Sequence, residues 1–355
     1  FMHINCAYCR PDYLHLEAFS GYVQEEKEYS ILLSLTCTKQ LTNDMAVPPT
    51  IIYIPGIKLF MGSSTGNMLV DDEAALDKVF SESRTLIMTH CEDTNRINAN
   101  MQKAMEACGC DDPDVSQHPK IRDAQACLMS TQLAVNLALK HDAQLHVAHL
   151  STEAEVELLR QTSNPKITGE ACVAHLIYTD ADYTRLGTRI KCNPAIKSES
   201  DREALRKAIL DGTITVIGTD HAPHLLSEKE GGSKKAVSGM PMIQFSLQSI
   251  LQLSDEGLLS PEAVVKLMCH NPAELFKVEK RGFLRPGYKA DFVLLTHDSP
   301  HTLEKSEILS RCGWSPREGD TFNWQISQTW VNGKRVWNGK EIECMGAGEP
   351  VRFLR

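Results

Sequence analysis

The stretch of the chain richest in reactive side chains is residues 218–224, which read Gly-Thr-Asp-His-Ala-Pro-His. It follows an apolar, β-branched run at residues 214–217 that predicts a buried strand. Asp220 is suited to binding a metal ion or moving a proton, and His221 and His224 are suited to binding a metal ion, a proton or an anion. A single Asp-His pair at a strand end is more often a cap or a surface hydrogen bond, so a site is indicated only if other strands contribute.

Other segments do contribute ligand-type residues. Lys58 lies in an alternating, mostly apolar run, and His90 and His149 each follow a predicted buried strand, at residues 85–88 and 144–148. A buried lysine is costly unless it is paired or modified, and a carbamate formed with CO2 would turn the amine into a carboxylate that bridges two cations. The alternative is a lysine whose ammonium group reaches solvent.

Two histidines compete for the same place in the second of these strands. His146 and His149 are three residues apart, so a strand sends them to opposite faces, and we choose His149 at the carboxyl end. A carboxylated Lys58, His90, His149 and Asp220 form a donor set suited to zinc. A binuclear zinc site would lower the pKa of water to about 7 and polarise a carbonyl group. Asp220 would move the proton to a leaving nitrogen, which predicts hydrolysis, or its reversal, at an amide-like carbon.

The elements that position these residues alternate in type from residue 50 onward. A further strand is predicted at residues 166–168, and helices are predicted at residues 72–80, 122–140, 152–160 and 199–210. Such alternation implies an α/β protein with a parallel sheet, and chemistry at most strand ends favours a (β/α)8 TIM-type barrel over a doubly wound sheet. We assign residues 51–281 to this hydrolase barrel, as the equivalents of strands 4–8, so the barrel is predicted to be incomplete at its N-terminal strands.

The flanking regions follow other patterns. Residues 1–50 match no element well and form an atypical N-terminal segment, whereas residues 282–355 predict a small β-sandwich remnant with a C-terminal tail. In this β unit, a turn-rich strand segment is predicted at residues 282–287, a strand at 290–295, and a hairpin around Asn332-Gly333. Polar residues 225–238 are compatible with a lid over the site and equally with a plain surface loop.

Composition excludes several partners. A net charge of −9 argues against nucleic acid, and no apolar run approaches the roughly 20 residues that cross a membrane. No signal peptide is visible, and five of the twelve cysteines (Cys91, Cys127, Cys172, Cys192 and Cys269) sit singly in apolar or catalytic-looking segments, which predicts reduced thiols in a cytoplasmic enzyme. The close pairs Cys6/Cys9 and Cys108/Cys110 are weak candidates for zinc binding.

The sequence resembles the dihydroorotases, within the cyclic amidase branch of the amidohydrolase superfamily. The similarity covers about residues 54–340 and is carried by motifs at residues 56–62, 89–93, 146–152, 193–197, 218–224 and 270–273. Residues 285–291 and 330–334 are similar to the β-sandwich part of that superfamily. The closing His224 separates dihydroorotases from their hydantoinase-like relatives.

This resemblance implies a function: the reversible cyclisation of N-carbamoyl-L-aspartate to L-dihydroorotate in de novo pyrimidine (UMP) biosynthesis. It implies two zinc ions per subunit, with a carboxylated Lys58 bridging them and His90 and His149 binding the second ion. Asp220 would bind the first ion and act as base and then acid. The partner is a small-molecule substrate, and the resemblance leaves a homodimer open.

Substrate contacts are also implied by the resemblance. Asn193 and His224 would hold the substrate, with His224 near its carboxylate, and the backbone around Ser238 and Gly239 would contact the ring.

The sequence departs from the family in three places. The His-x-His-x-Arg strand end that supplies two ligands for the first zinc is missing, and His3 and His15 are poor substitutes. A substrate-binding asparagine in a Met-Pro-Asn-Thr-like turn is missing too, and Ala174 stands beside His175 where two histidines are common. Our hypothesis is that residues 1 to about 50 are not the native start, that the first zinc site is compromised, and that the chain as given has little or no activity.

Two alternatives stay open. One is a dihydropyrimidinase or hydantoinase-type cyclic amidase, which would not need His224 for a ring carboxylate. The other is an inactive, dihydroorotase-like scaffold that binds aspartate carbamoyltransferase, which the missing His-x-His motif favours and the surviving ligand residues oppose.

Overall fold

The computed structural model describes residues 55–62, 69–344 and 346–354. The atypical N-terminal segment, with His3, His15 and the Cys6/Cys9 pair, lies outside the described residues, and so do residues 51–54 at the start of the assigned barrel. The described residues fall into two compact units, one formed by residues 56–246 and 305–318, and the other by residues 247–304 and 319–354. The assignment of domains at residues 1–50, 51–281 and 282–355 stays a prediction.

The first unit contains a five-stranded sheet in which every pairing is parallel. Its strands are β1 (Ile57–Phe60), β2 (Ile87–His90), β3 (Leu145–Val147), β4 (Ile167–Cys172) and β5 (Val216–Gly218). They lie in the order of the chain, β1-β2-β3-β4-β5. A doubly wound sheet reverses direction at a switch point, whereas strands of a barrel follow one another in sequence. The predicted α/β parallel sheet is therefore confirmed, and its strand order agrees with a barrel.

Helices connect these strands as the apolar periodicity predicts. Their bounds are α1 (Glu73–Glu82), α2 (Thr94–Cys108), α3 (His118–Ile121), α4 (Ala124–His141), α5 (Glu153–Thr162), α6 (Val173–Ile177), α7 (Tyr183–Leu186) and α8 (Glu199–Asp211). The long ones begin at a side chain that accepts a hydrogen bond from the first turn, such as Asp123 before α4 and Thr152 before α5. The sequence patterns predicted α1, α4, α5 and α8. They did not predict α2, in which only Ile97 is buried, or the short helices α3, α6 and α7.

The core of this unit is formed by the strands. Leu59, Ile87, Leu145 and Val147 are completely shielded from solvent. A parallel sheet is covered on both faces by its crossover helices, so its strands are apolar along their length rather than on alternate residues. This packing leaves the carboxyl ends of the strands as the place where polar side chains gather.

The second unit combines helices with a small antiparallel sheet. The helices are α9 (Ser246–Asp255), α10 (Pro261–Val265) and α11 (Asn271–Leu275), and the strands are β6 (Phe292–Thr296), β7 (His301–Thr302), β8 (Thr321–Phe322), β9 (Gln325–Val331) and β10 (Lys334–Trp337). The predicted hairpin is present, because β9 and β10 pair antiparallel and both Asn332 and Gly333 have positive φ, 51° and 77°. The strand predicted at residues 282–287 is wrong: this glycine- and proline-containing stretch forms turns. Across the described residues, no helix has the length and apolarity to cross a membrane.

Candidate active site

Three of the four predicted ligand residues lie at the carboxyl edge of the parallel sheet, and the fourth, Lys58, is the second residue of β1. His90 ends β2, while His149 and Asp220 each come two residues after the end of a strand. His149 and Asp220 have positive φ values of 40° and 46°, which non-glycine residues adopt at a cost of about 1–3 kcal/mol. Strained backbone of this kind persists where the surroundings hold it and is common at functional sites.

Two imidazoles meet at this edge. His90 Nδ1 and His149 Nε2 are 3.1 Å apart, and the two rings meet edge to face with centroids 4.8 Å apart. Both side chains are buried. Burial lowers the pKa of His90 and lowers that of His149 well below its usual range, so both rings are neutral at neutral pH. The structure thus brings together two residues that sequence reasoning paired.

The geometry of this pair fits a zinc ion. Neutral imidazole is the form that binds metal, and two nitrogens on a zinc tetrahedron are about 3.3 Å apart, close to the separation seen here. His149 Nδ1 is buried and has no hydrogen-bond partner among the described residues. No group of three or more His, Cys, Asp or Glu side chains comes within reach of one ion in the described parts of the chain. The histidine pair is therefore the nucleus of a candidate metal site rather than a finished coordination shell.

Lys58 and Asp220 act on one another electrostatically. Burial lowers the pKa of Lys58, and the charges of Glu170 and Asp220 oppose that effect. Burial raises the pKa of Asp220 to about 6, although Lys58 pulls it down. A carboxyl group with a pKa near neutrality exchanges protons readily, which suits the role of a general base and acid.

Glu170, in β4, is a member of this group that sequence reasoning missed. One carboxylate oxygen accepts a hydrogen bond from the backbone N–H of His149 at 3.3 Å, and the other lies 3.7 Å from His146 Nε2. A Cβ on Gly218 would come within 2.7 Å of this carboxyl group, so glycine is needed there. The signal available in the sequence was an acidic residue inside an apolar strand. His146 itself bonds to Thr168 at 2.8 Å rather than joining the histidine pair, as the choice of His149 requires.

A second missed group supports His90. The completely buried Glu92 carboxylate lies 3.1 Å from His90 Nε2 and forms an ion pair with Arg122. Burial alone would raise the pKa of Glu92, but Arg122 and His90 lower it to about 2. A carboxylate that accepts from one ring nitrogen fixes the orientation of the ring and leaves the other nitrogen free for a metal.

The predicted substrate-binding residues lie on neighbouring segments. Asn193 Oδ1 is buried and has no hydrogen-bond partner within the described ranges, and the Asn193–Pro194 peptide bond is cis. Trp314 Nε1 donates to the backbone oxygen of His224 at 2.7 Å. A Cβ on Gly239 would come 2.9 Å from the His224 ring, so only glycine allows the backbone at Ser238 and Gly239 to approach it this closely.

Two weaker candidates have other roles. His221 Nδ1 accepts hydrogen bonds from the backbone N–H groups of Met242 and Ile243 at 3.1 and 3.2 Å, so this nitrogen is occupied. Cys108 and Cys110 form a disulfide, which makes the zinc-binding interpretation of that pair wrong.

Comparison with known proteins defines the class of this protein. The chain belongs to the amidohydrolase family, whose model matches residues 70–336. The resemblance to dihydroorotases is confirmed as well. The chain is 31% identical to the dihydroorotase of Halobacterium salinarum over 83% of its own length and 67% of the relative's. It is 30% identical to that of Lactobacillus gasseri over 72% of its own length and 60% of the relative's.

Solved structures point to the same fold. The L-hydantoinase (dihydropyrimidinase) from Arthrobacter aurescens superposes with a TM-score of 0.79 and 27% identity, covering 84% of this chain and 68% of that one. The chain thus spans about two thirds of the length of these similar proteins, and less of some others.

The ion pair beneath His90 gives a test of the site's construction. Arg122→Met leaves the Glu92 carboxylate buried without its cation, so we expect the free energy of unfolding to fall by about 3–5 kcal/mol. Urea denaturation measures this, with the exposed Arg160→Met as the matched control, for which a loss of about 1 kcal/mol or less is expected. Adding Glu92→Gln to Arg122→Met should recover part of the loss. Equal stabilities of the Arg122 and Arg160 variants would contradict the arrangement.

Proposed function

We propose that this protein is a dihydroorotase, which interconverts N-carbamoyl-L-aspartate and L-dihydroorotate in de novo pyrimidine biosynthesis, with zinc as its cofactor and in the cytoplasm. The observation that carries the proposal is the buried, neutral His90–His149 pair at the same sheet edge as Asp220. The dihydroorotases among its relatives support the choice of reaction. A homodimer stays a prediction.

The ligand set of this site is built on the histidine pair. His90 and His149 would hold one zinc ion together with Lys58 as its carbamate, and Asp220 would be a donor to the other ion. When bound, zinc supplies a Lewis acid that activates water and polarises a carbonyl group. Burial lowers the pKa of Lys58 and so favours the neutral amine, which is the form that reacts with CO2.

Asp220 is the proton carrier in this proposal. Burial raises the pKa of this carboxyl group and makes it a stronger base than an exposed aspartate, and it accepts a proton from the attacking water. The resulting carboxylic acid then donates that proton to the leaving ring nitrogen. Ring closure follows the same steps in reverse, so one carboxyl group serves both directions.

Recognition of the substrate falls to Asn193, His224 and the backbone at Ser238 and Gly239. The unpartnered Asn193 Oδ1 is suited to accept from a ring or ureido N–H group. His224 is suited to the ring carboxylate, a group that dihydroorotate has and dihydropyrimidines lack. The similarity in structure to a hydantoinase supports a dihydropyrimidinase as the second candidate.

Zinc binding is the first test. Because the sequence as given offers no His-x-His motif, we expect about one equivalent of tightly bound zinc per chain instead of two, measured by competition with a chromophoric chelator. His149→Asn should abolish it, whereas His141→Asn, which alters a surface ion pair with Asp77, should not. A parent chain that binds no zinc would instead support the scaffold alternative.

Catalysis by Asp220 is the second test. The zinc-loaded parent should hydrolyse L-dihydroorotate slowly, since one of two ions is missing, and ultraviolet absorbance follows the reaction. Asp220→Asn removes the proton carrier and lowers the rate by about 10²–10⁴-fold, which takes it below detection. The exposed Asp71→Asn variant should keep the parent rate, and hydrolysis by the Asp220 variant at that rate would refute the role.

A substitution at His224 distinguishes a dihydroorotase from a dihydropyrimidinase. His224→Ala should weaken the binding of L-dihydroorotate by about tenfold or more, since a hydrogen bond to a charged group is lost, and leave dihydrouracil binding unchanged. Titration calorimetry measures both, with His141→Ala as the control. Tighter binding of dihydrouracil than of dihydroorotate by the parent would favour the dihydropyrimidinase.

A further inference from the structure

A buried lysine lies beneath the substrate-binding segments and has no part in the proposed chemistry. Lys229 is 3% exposed, although it belongs to the polar stretch that follows His224. Burying an ammonium group is costly unless its donors are all engaged. The side chain must therefore be held by specific acceptors.

Those acceptors are three backbone carbonyl groups. Lys229 Nζ donates to the oxygens of Lys191 at 3.0 Å, Val237 at 2.7 Å and Gly239 at 2.6 Å. An ammonium group has three donors, so its capacity is filled. The lysine acts here as a cation bound by a ring of peptide dipoles.

The three carbonyls belong to the segments assigned to substrate binding. Val237 and Gly239 flank Ser238, and Lys191 is two residues before Asn193. The backbone N–H of Gly239 also donates to the oxygen of Lys191 at 2.8 Å. One ammonium group thus joins the two chain segments that carry Asn193 and the Ser238-Gly239 backbone.

The position of His224, the third predicted substrate-binding residue, depends on the same backbone at Gly239. Gly239 packs so closely on Ala222 and His224 that a Cβ would lie 2.6 Å and 2.9 Å from them. The N–H of Ala222 donates to the oxygen of Met240 at 3.0 Å. A displacement of the backbone at Gly239 would therefore move the segment that holds His224.

We propose that Lys229 is a positioning residue that fixes the backbone of Val237–Gly239 between Asn193 and His224 and thereby sets the affinity for substrate. The effect on substrate affinity rests on the proposed function, whereas the role of Lys229 in fixing the backbone does not. Substrate binding needs this geometry before the ligand arrives, because a loop that must be ordered on binding lowers affinity.

Substitution of Lys229 should have a different effect from substitution of an ordinary core residue. Removal of a core side chain lowers global stability, whereas loss of Lys229 should loosen one loop and leave the sheet intact. Burial, with a contribution from the charge of Lys191, lowers the pKa of Lys229 to about 7, so measurements belong near pH 6, where the ammonium form predominates.

Hydrogen exchange read by mass spectrometry tests the inference directly. In Lys229→Met, the amides of Val237, Gly239 and Ala222 should exchange about tenfold faster or more, with the sheet unchanged. Lys229→Arg keeps a multivalent cation and should restore part of the protection. Lys235→Met, which removes an exposed lysine of the same loop, is the matched control and should exchange like the parent.

The same variants are titrated with L-dihydroorotate. Lys229→Met should weaken binding by about tenfold while the zinc content stays at the parent value, and Lys229→Arg should recover part of the affinity. If Lys229→Met does not fold, Thr188→Val replaces it, because Thr188 Oγ1 donates to the Lys229 carbonyl at 2.5 Å and its loss should have a smaller effect in the same direction.

Unchanged exchange at the three amides in Lys229→Met, or in Thr188→Val where that variant replaces it, would overturn the inference. Faster exchange with unchanged dihydroorotate affinity would overturn the link to substrate. A parent that does not bind L-dihydroorotate would count against the proposed function, and amide exchange alone would still decide the role of Lys229.

Discussion

The burial of ionisable side chains at the carboxyl edge of the parallel sheet is the constraint on which the candidate site depends. Burial disfavours charge, so it leaves His90 and His149 neutral and raises the pKa of Asp220 to about 6. The carboxylates that stay charged are those with a partner: burial would raise the pKa of Glu170, but His146, and then Lys58, lower it below its usual value. One low-dielectric environment thus leaves two imidazoles neutral, one carboxyl group with a pKa near neutrality and other carboxylates charged.

The backbone conformation at the strand ends holds these buried side chains at the sheet edge. His149 and Asp220 adopt positive φ values where their strands end, and the N–H of His149 is held by the Glu170 carboxylate. Gly218 leaves room for the same carboxylate, since a side chain there would overlap it. The conformation of the chain and the electrostatics of the edge are therefore linked through Glu170.

The sequence predicted those strands, helices and turns that depend on a local residue pattern. The apolar run at residues 214–217 and the Asn332-Gly333 turn indicated a strand and a hairpin because the forces that form them act over a few residues. It did not reveal Glu170, or the pairing of Glu92 with Arg122, because these contacts join residues 20 to 30 positions apart that no periodicity links. Lys229 was likewise hidden in a polar stretch, where composition suggests a solvated loop.

The distribution of charge bears on which ring the site accepts. The chain carries a net charge of −9, which repels anions from most of its surface. Yet Lys191, Lys197 and Lys229 are all buried in the segments next to Asn193 and His224. An anion bound there would raise the pKa of Lys191 and Lys229, which burial lowers to about 8 and about 7, and so stabilise their charged forms. Dihydroorotate and N-carbamoyl-L-aspartate are anions, whereas dihydropyrimidines are neutral. Backbone carbonyls already accept hydrogen bonds from these ammonium groups, and an anionic substrate would stabilise their charge further, which supports the proposed dihydroorotase reaction.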